Sequence, residues 1–280
     1  MFHVLKSSYV VRNEWGEVEV TTAPTVRKGA RAPQATEAAS VFGWRARIAL
    51  ILPADNAVME PELYGLGLDG VSFHALRITV TEHEQMRRQA VQLAQAAGEL
   101  GADVVVYACA ETSFDGGAAT RQRLSSLVAE CSGLPVVVAT DAMIEAAAWL
   151  GLEQVALVTP YTAASGSLLE AALAARGIAT VAAHHREFRL EGNDPREWYE
   201  TNRQPSWVSY RMMRATDVPE ADGVVVSATN LATLGTLEAA ERDLGKPVVT
   251  CNQSILWSCL RTLGVSTAVP GLGRLLAGAR

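Results

Sequence analysis

One stretch of this chain occurs twice, and that repeat limits the possible folds more than any other feature. The segment Ala102-Asp103-Val104-Val105-Val106-Tyr107-Ala108-Cys109 aligns without gaps on Ala221-Asp222-Gly223-Val224-Val225-Val226-Ser227-Ala228, 119 positions later (221 − 102 = 119). Farther on, Leu134-Pro135-Val136-Val137 matches Lys246-Pro247-Val248-Val249, and each is followed by a helical pattern that carries a tryptophan, Trp149 or Trp257, and ends in Leu-Gly. Upstream, 48–53 matches 155–160. Self-similarity over this length points to two copies of one supersecondary unit, the alternative being a repeat of packing only, since any two βαβ units share apolar strands.

The unit itself is legible from periodicity. Short continuous apolar runs at 47–52, 71–78, 104–108, 135–139, 155–159, 179–184, 223–227 and 247–250 read as strands buried on both faces. Between them, 81–100, 118–131, 142–150, 164–176, 206–216, 233–244 and 253–263 carry helical patterns. Strand and helix in alternation predict βαβ units with parallel sheets. The expected fold is therefore α/β: two pseudo-symmetric βαβ (Rossmann-like) half-domains whose sheets face a shared cleft. The division expected is an N-terminal extension and linker at 1–42, a first half-domain at 43–150 and a second at 151–280, its closing segment free to pack on the first. Residues 21–40, rich in Thr, Ala and Pro without an apolar period, mark the linker.

Composition narrows the partners. With 280 residues, 49% of them hydrophobic, the chain can bury one large core or two smaller ones. Its net charge of -6 and scattered Lys and Arg offer no basic footprint for nucleic acid. No apolar run approaches the roughly 18 residues of a membrane span, and the start lacks the pattern of a secretory leader. A cytoplasmic protein is expected, free of nucleic acid and membrane. The four cysteines, Cys109, Cys131, Cys251 and Cys259, form no CxxC pair and no zinc-type grouping, so neither a structural metal nor a disulfide framework is expected.

Ligands of doubly wound sheets bind beyond the carboxyl ends of the strands. Cys109 stands there, one residue past an apolar strand, followed by a small polar stretch, 110–117, that leads into a helix. Two readings of it stand side by side. Amides at a helix start would favour its thiolate and lower its pKa below the ordinary value of about 8.5; a free cysteine is equally often a small buried apolar residue. The matched loop in the second half, Ser227-Ala228-Thr229-Asn230-Leu231-Ala232-Thr233, offers hydroxyls, an amide and backbone N–H groups for a carboxylate, although helix capping accounts for Thr229, Asn230 or Thr233 taken singly. Asn56 and Tyr161 occupy corresponding loops after the first strand of each half, where Asn after Pro is also ordinary turn chemistry. Cys251 follows the last strand and could bring a second thiol toward the cleft.

These motifs together, LPADNAVMEPEL (52–63), VVYACAETSFDGG (105–117), LVTPYT (157–162), ADGVVVSATNLATL (221–234) and GKPVVTCNQSILW (245–257), resemble the aspartate/glutamate racemase superfamily, in its branch of maleate cis-trans isomerases and arylmalonate decarboxylases. The resemblance covers about 43–270. It implies a cofactor-independent enzyme with two cysteines facing one another across the cleft and no metal. Cys109 matches the first cysteine; Ala228 stands where the second is expected. Either the protein is naturally a one-cysteine variant or the chain is inactivated at this position.

For a maleate isomerase the resemblance implies addition of the Cys109 thiolate to the alkene. Asn56, Ala110, Tyr161, Thr229 and Asn230 would hold the small carboxylate substrate, with Asn193 as a looser match. A homodimer or higher homo-oligomer is expected. The decarboxylases keep their proton-donating cysteine in the second half and a glycine in the first, the reverse of this chain. The resemblance thus favours isomerisation of a small cis-dicarboxylate or its half-amide. A decarboxylase, lyase or ectoine-degradation-type racemase-like protein is the alternative, and a non-catalytic binder of small anions, for which Ala228 is the argument, is the third.

Overall fold

The computed structural model describes residues 9–13, 16–20, 42–188, 199–266 and 268–277. All eight strands expected from the apolar runs are present. Ala46–Pro53 (β3), Val71–Ile78 (β4), Val104–Tyr107 (β5) and Val136–Val138 (β6) form one four-stranded sheet in the order β4-β3-β5-β6. Gln154–Thr159 (β7), Ala179–His185 (β8), Gly223–Val226 (β9) and Val248–Thr250 (β10) form the other, in the order β10-β9-β7-β8. Every pairing within these two sheets is parallel. Numbered within its own half, each sheet has the order 2-1-3-4, so the repeat in sequence is a repeat of topology. A small antiparallel hairpin, Tyr9–Asn13 (β1) with Gly16–Val20 (β2), precedes them; no expectation was attached to it. The linker expected at 21–40 lies outside the described residues.

The repeated Ala-Asp has a local reason. Asp103 accepts the backbone N–H of Arg47 at 2.8 Å, while its own N–H donates to the Arg47 carbonyl at 2.8 Å. In the second half, Asp222 accepts from Glu153 and Gln154 at 2.8 and 3.0 Å and donates back to Gln154 at 2.7 Å. Each aspartate clips the start of the third strand to the start of the first, which sets their register. The valines that follow are then fully buried on both faces.

Helices Met59–Gly65 (α1), His83–Glu99 (α2), Ala110–Phe114 (α3), Gly117–Ser132 (α4), Ala139–Trp149 (α5), Ala163–Ala174 (α6), Tyr199–Asn202 (α7), Ser206–Thr216 (α8), Leu237–Leu244 (α9) and Cys251–Thr262 (α10) connect the strands. Three of these, α1, α3 and α7, were not expected. They are one or two turns long, too short to display an amphipathic period. The helix expected at 233–244 opens as a 3-10 turn, Leu234–Thr236, before α9.

One apolar cluster contains strand residues of both sheets together with Ala142, Met143, Ala146 and Ala147 of α5 and Ile255, Leu256, Cys259 and Leu260 of α10. Helices α5 and α10 are the matched elements after the last strand of each half, and they pack against one another. The matched tryptophans meet there: the Trp149 and Trp257 rings are 6.0 Å apart, with the Arg261 guanidinium 4.3 and 4.7 Å from them. A second cluster, between the first sheet and α2 with α4, includes Met86, Tyr107 and Cys109.

Candidate active site

In both sheets the order reverses between the first and third strands, at β3/β5 and β7/β9, and the carboxyl ends of these strands meet in a cleft of about 130 Å³. That volume is room for about four waters at roughly 30 Å³ each, or for one small organic acid. The first half lines it with Pro53, Asp55 and Asn56 after β3, Thr81, His83 and Met86 around the start of α2, and Cys109 to Thr112 after β5; the second half contributes Tyr161, Thr229 and Asn230. Of the residues singled out in the sequence, Cys109, Asn56, Ala110, Tyr161, Thr229 and Asn230 are thus brought together. Asn193 lies outside the described residues.

Ala228 is buried, 2% exposed, and is not among the lining residues. Its backbone N–H approaches the sulfur of Cys251, which opens α10 and is fully buried. Cys251 therefore sits behind the cleft wall rather than in it.

Cys109 corrects one expectation. It is the residue before the first turn of α3, as the sequence implied, and its sulfur accepts from the Thr112 backbone and side chain. Yet its pKa is pushed up to about 11, not down: burial of the thiol is the dominant cause, and the carboxylates of Glu111 and Asp55 add to it. Two hydrogen bonds to sulfur do not offset the loss of water around a thiolate.

The polar residues of the cleft are held in a chain. Asn56 Oδ1 accepts from the N–H groups of Val58 and Met59 at 3.1 and 3.0 Å, which caps α1, and its Nδ2 donates to Thr229 Oγ1 at 3.0 Å. Thr229 Oγ1 in turn donates to the Ala108 carbonyl at 3.1 Å. Asn56 and Thr229 thus tie the two halves together at the strand adjoining Cys109, and both polar atoms of the Asn56 amide are engaged in doing so.

Behind them, Asn252 Nδ2 donates to the Thr229 carbonyl at 3.1 Å and to Glu62 at 2.8 Å. Glu62 also accepts from the N–H groups of Thr233 and Leu234 at 2.6 and 2.8 Å. Burial raises the Glu62 pKa against these donors. Tyr161, edge-on to Phe114 at 5.7 Å, keeps a hydroxyl whose pKa stands well above its usual value, chiefly through burial; it remains a neutral donor.

Three lining residues carry ionisable groups whose meeting in one cleft the sequence does not show. Asp55 is half-buried, accepts from Asn202 Nδ2 at 3.4 Å, and has a raised pKa because burial outweighs its hydrogen bonds. Glu111 accepts from Ser165 Oγ at 2.6 Å. His83 pairs with Asp115 at 2.9 Å. Asp55 and Glu111 both stand inside the quoted motifs, beside Asn56 and Ala110, but only the fold turns them toward the same space. No group of three or more His, Cys, Asp or Glu among the described residues is placed to hold a metal ion. No helix of the described residues is long and apolar enough to cross a membrane.

The sequence profile of the arylmalonate decarboxylase family matches residues 48–276, both sheets and the cleft between them. The chain belongs to this family. Among curated members related to it, the maleate isomerase of Nocardia farcinica is 31% identical over 250 residues, covering 82% of this chain and 95% of that protein. The arylmalonate decarboxylase of Bordetella bronchiseptica is 29% identical over 230 residues, covering 80% and 91%. A solved structure of the Nocardia farcinica enzyme, a cysteine-to-serine mutant with a covalently bound succinylcysteine intermediate, superposes with a TM-score of 0.73 at 29% identity, covering 83% of this chain and 98% of that one. The arylmalonate decarboxylase family thus includes isomerases and decarboxylases, and cysteine-based catalysis is established within it. Its members fall in the aspartate/glutamate racemase-like superfamily that the motifs resemble.

Proposed function

We propose that this protein is a cofactor-independent isomerase that uses Cys109 as nucleophile on a small cis-unsaturated acid of the maleate type. The observation that carries the reading is the position of Cys109: it follows β5 at the switch point, lines the cleft, and faces Tyr161, Thr229 and Asn230 contributed by the other half. The succinylcysteine intermediate of the Nocardia farcinica relative supports it.

In this scheme the Cys109 thiol gives its proton to solvent at the cleft mouth, to recover it once the sulfur has left again, and the sulfur forms a bond to one alkene carbon. The π-electron pair moves onto the carboxylate carried by the other alkene carbon, giving an enediolate that the Tyr161 hydroxyl and the Asn230 amide stabilise. Rotation about the resulting single bond and re-expulsion of sulfur then give the trans acid. Cys109 in the first half, with Ala228 in the second, favours this over decarboxylation, which in the resemblance relies on a cysteine in the second half.

Turnover of maleate and its half-amide, followed by proton NMR, tests the reading. Cys109→Ala abolishes conversion while leaving the thermal midpoint within a few degrees. Ala228→Cys, which restores a second thiol, raises conversion at least about a hundredfold, the size of gaining a positioned acid. Full activity in Cys109→Ala would refute the proposal.

A further inference from the structure

We infer that the substrate of this cleft carries one carboxylate and one cationic group, an ammonium or amidinium, in place of the second carboxylate of maleate. The inference rests on the isomerase reading and refines its substrate class. Its ground is the charge of the cleft. Asp55 and Glu111 both line it, and none of its described lining residues is Lys or Arg. Neither carboxylate makes an ion pair among the described residues. Asp55 meets the neutral amide of Asn202, and Glu111 meets the hydroxyl of Ser165.

The nearby basic groups have acidic or carbonyl partners of their own. His83 and Arg87 share Asp115, and Arg77 is held by Glu60 and by the carbonyls of Pro53 and Asn56. A dianion entering here meets two carboxylates without an ion-pair partner, Asp55 being eased only at longer range by Arg77, in a small, partly dehydrated space, where like charges repel far more strongly than in water. One cationic end reverses the sign of that interaction. The carboxylate end still finds the neutral donors Tyr161 and Asn230 on the opposite wall.

The same charge bears on the nucleophile. The carboxylates of Asp55 and Glu111 oppose ionisation of Cys109, and burial opposes it more. A dianionic ligand would add to this opposition. A ligand cation seated between the two carboxylates offsets them and favours the thiolate at the moment the ligand is in place. Charge selection and thiol activation would then have one cause.

Calorimetric titration of the intact protein with three acids of similar size tests the inference: maleate, its half-amide, and cis-4-aminobut-2-enoate, in which an aminomethyl group replaces one carboxylate. The expected order is aminobutenoate tightest, by at least about tenfold over maleate, with the half-amide between. The isosteric variants Asp55→Asn and Glu111→Gln, singly and together, narrow that gap, and the pair reverses it. Added salt narrows it too. Tighter binding of maleate to the unaltered protein, a preference untouched by both substitutions, or binding of none of the three acids overturns the inference. The isomerase reading is judged by a separate readout, the Cys109 adduct by mass spectrometry and the trans product by NMR. A bound aminobutenoate that yields neither would sink that reading and leave the charge preference standing.

Discussion

Cys109 stands between β5 and α3, clustered with Met86 and Tyr107 and with 9% of its surface exposed. Because burial holds its pKa near 11, iodoacetamide labelling of the ligand-free protein should keep accelerating up to about pH 11 rather than level off near the ordinary value of about 8.5. Peptide mapping against pH measures this, and a plateau near pH 8.5 contradicts the burial argument. The linkage has a definite sign. A pKa raised on folding means that the folded state holds its proton more tightly. The stability it contributes is fully present below the ordinary thiol pKa and is lost as pH rises through about 11. Cys251, pushed up to about 12, acts in the same direction. Cys109→Ala should therefore lose less stability between pH 8.5 and 11 than the parent protein does.

At the scale of the element, the cleft is only as well defined as the loop after β9, and Glu62 of α1 holds that loop. Its carboxylate accepts from the N–H groups of Thr233 and Leu234 and from Asn252, whose amide also holds the Thr229 carbonyl. Removing the acceptor leaves buried donors unsatisfied, at about 1–3 kcal/mol for each. Glu62→Ala should cost roughly 2–4 kcal/mol in urea denaturation and weaken acid binding by loosening Thr229 and Asn230. Glu62→Gln keeps an oxygen acceptor and costs less. Equal effects of the two substitutions would mean that the loop is held by packing instead.

For the whole molecule, the decisive feature is that α5 and α10 join the halves in one apolar cluster that includes strands of both sheets. Two half-domains with separate cores would unfold in two steps; a shared core predicts one. Tryptophan fluorescence and far-ultraviolet circular dichroism should give coincident urea transitions. Trp257→Ala, which removes a buried ring from the α5–α10 contact, should lower the midpoint of both together, for a loss of stability of about 3–5 kcal/mol. Separated transitions would show that the halves are energetically independent.

Much of this was legible in the residues. The valine runs read as buried parallel strands, and a segment recurring 119 positions later as a second copy of one unit, so strands, order of elements and the correspondence of Cys109 with Ala228 followed from local pattern. The short helices α1, α3 and α7 did not, because one or two turns carry too little periodicity to register. The sign of the Cys109 shift was also out of reach. A helix start beside a thiol can be seen in sequence, but the burial that outweighs it depends on what packs around the sulfur. Likewise Asp55 and Glu111, 56 positions apart, share one cleft because β3 and β5 are neighbours in the sheet. Backbone pattern is a local property and is written in the chain. Desolvation and the sum of charges in a cleft are properties of space, and only the tertiary structure decides them.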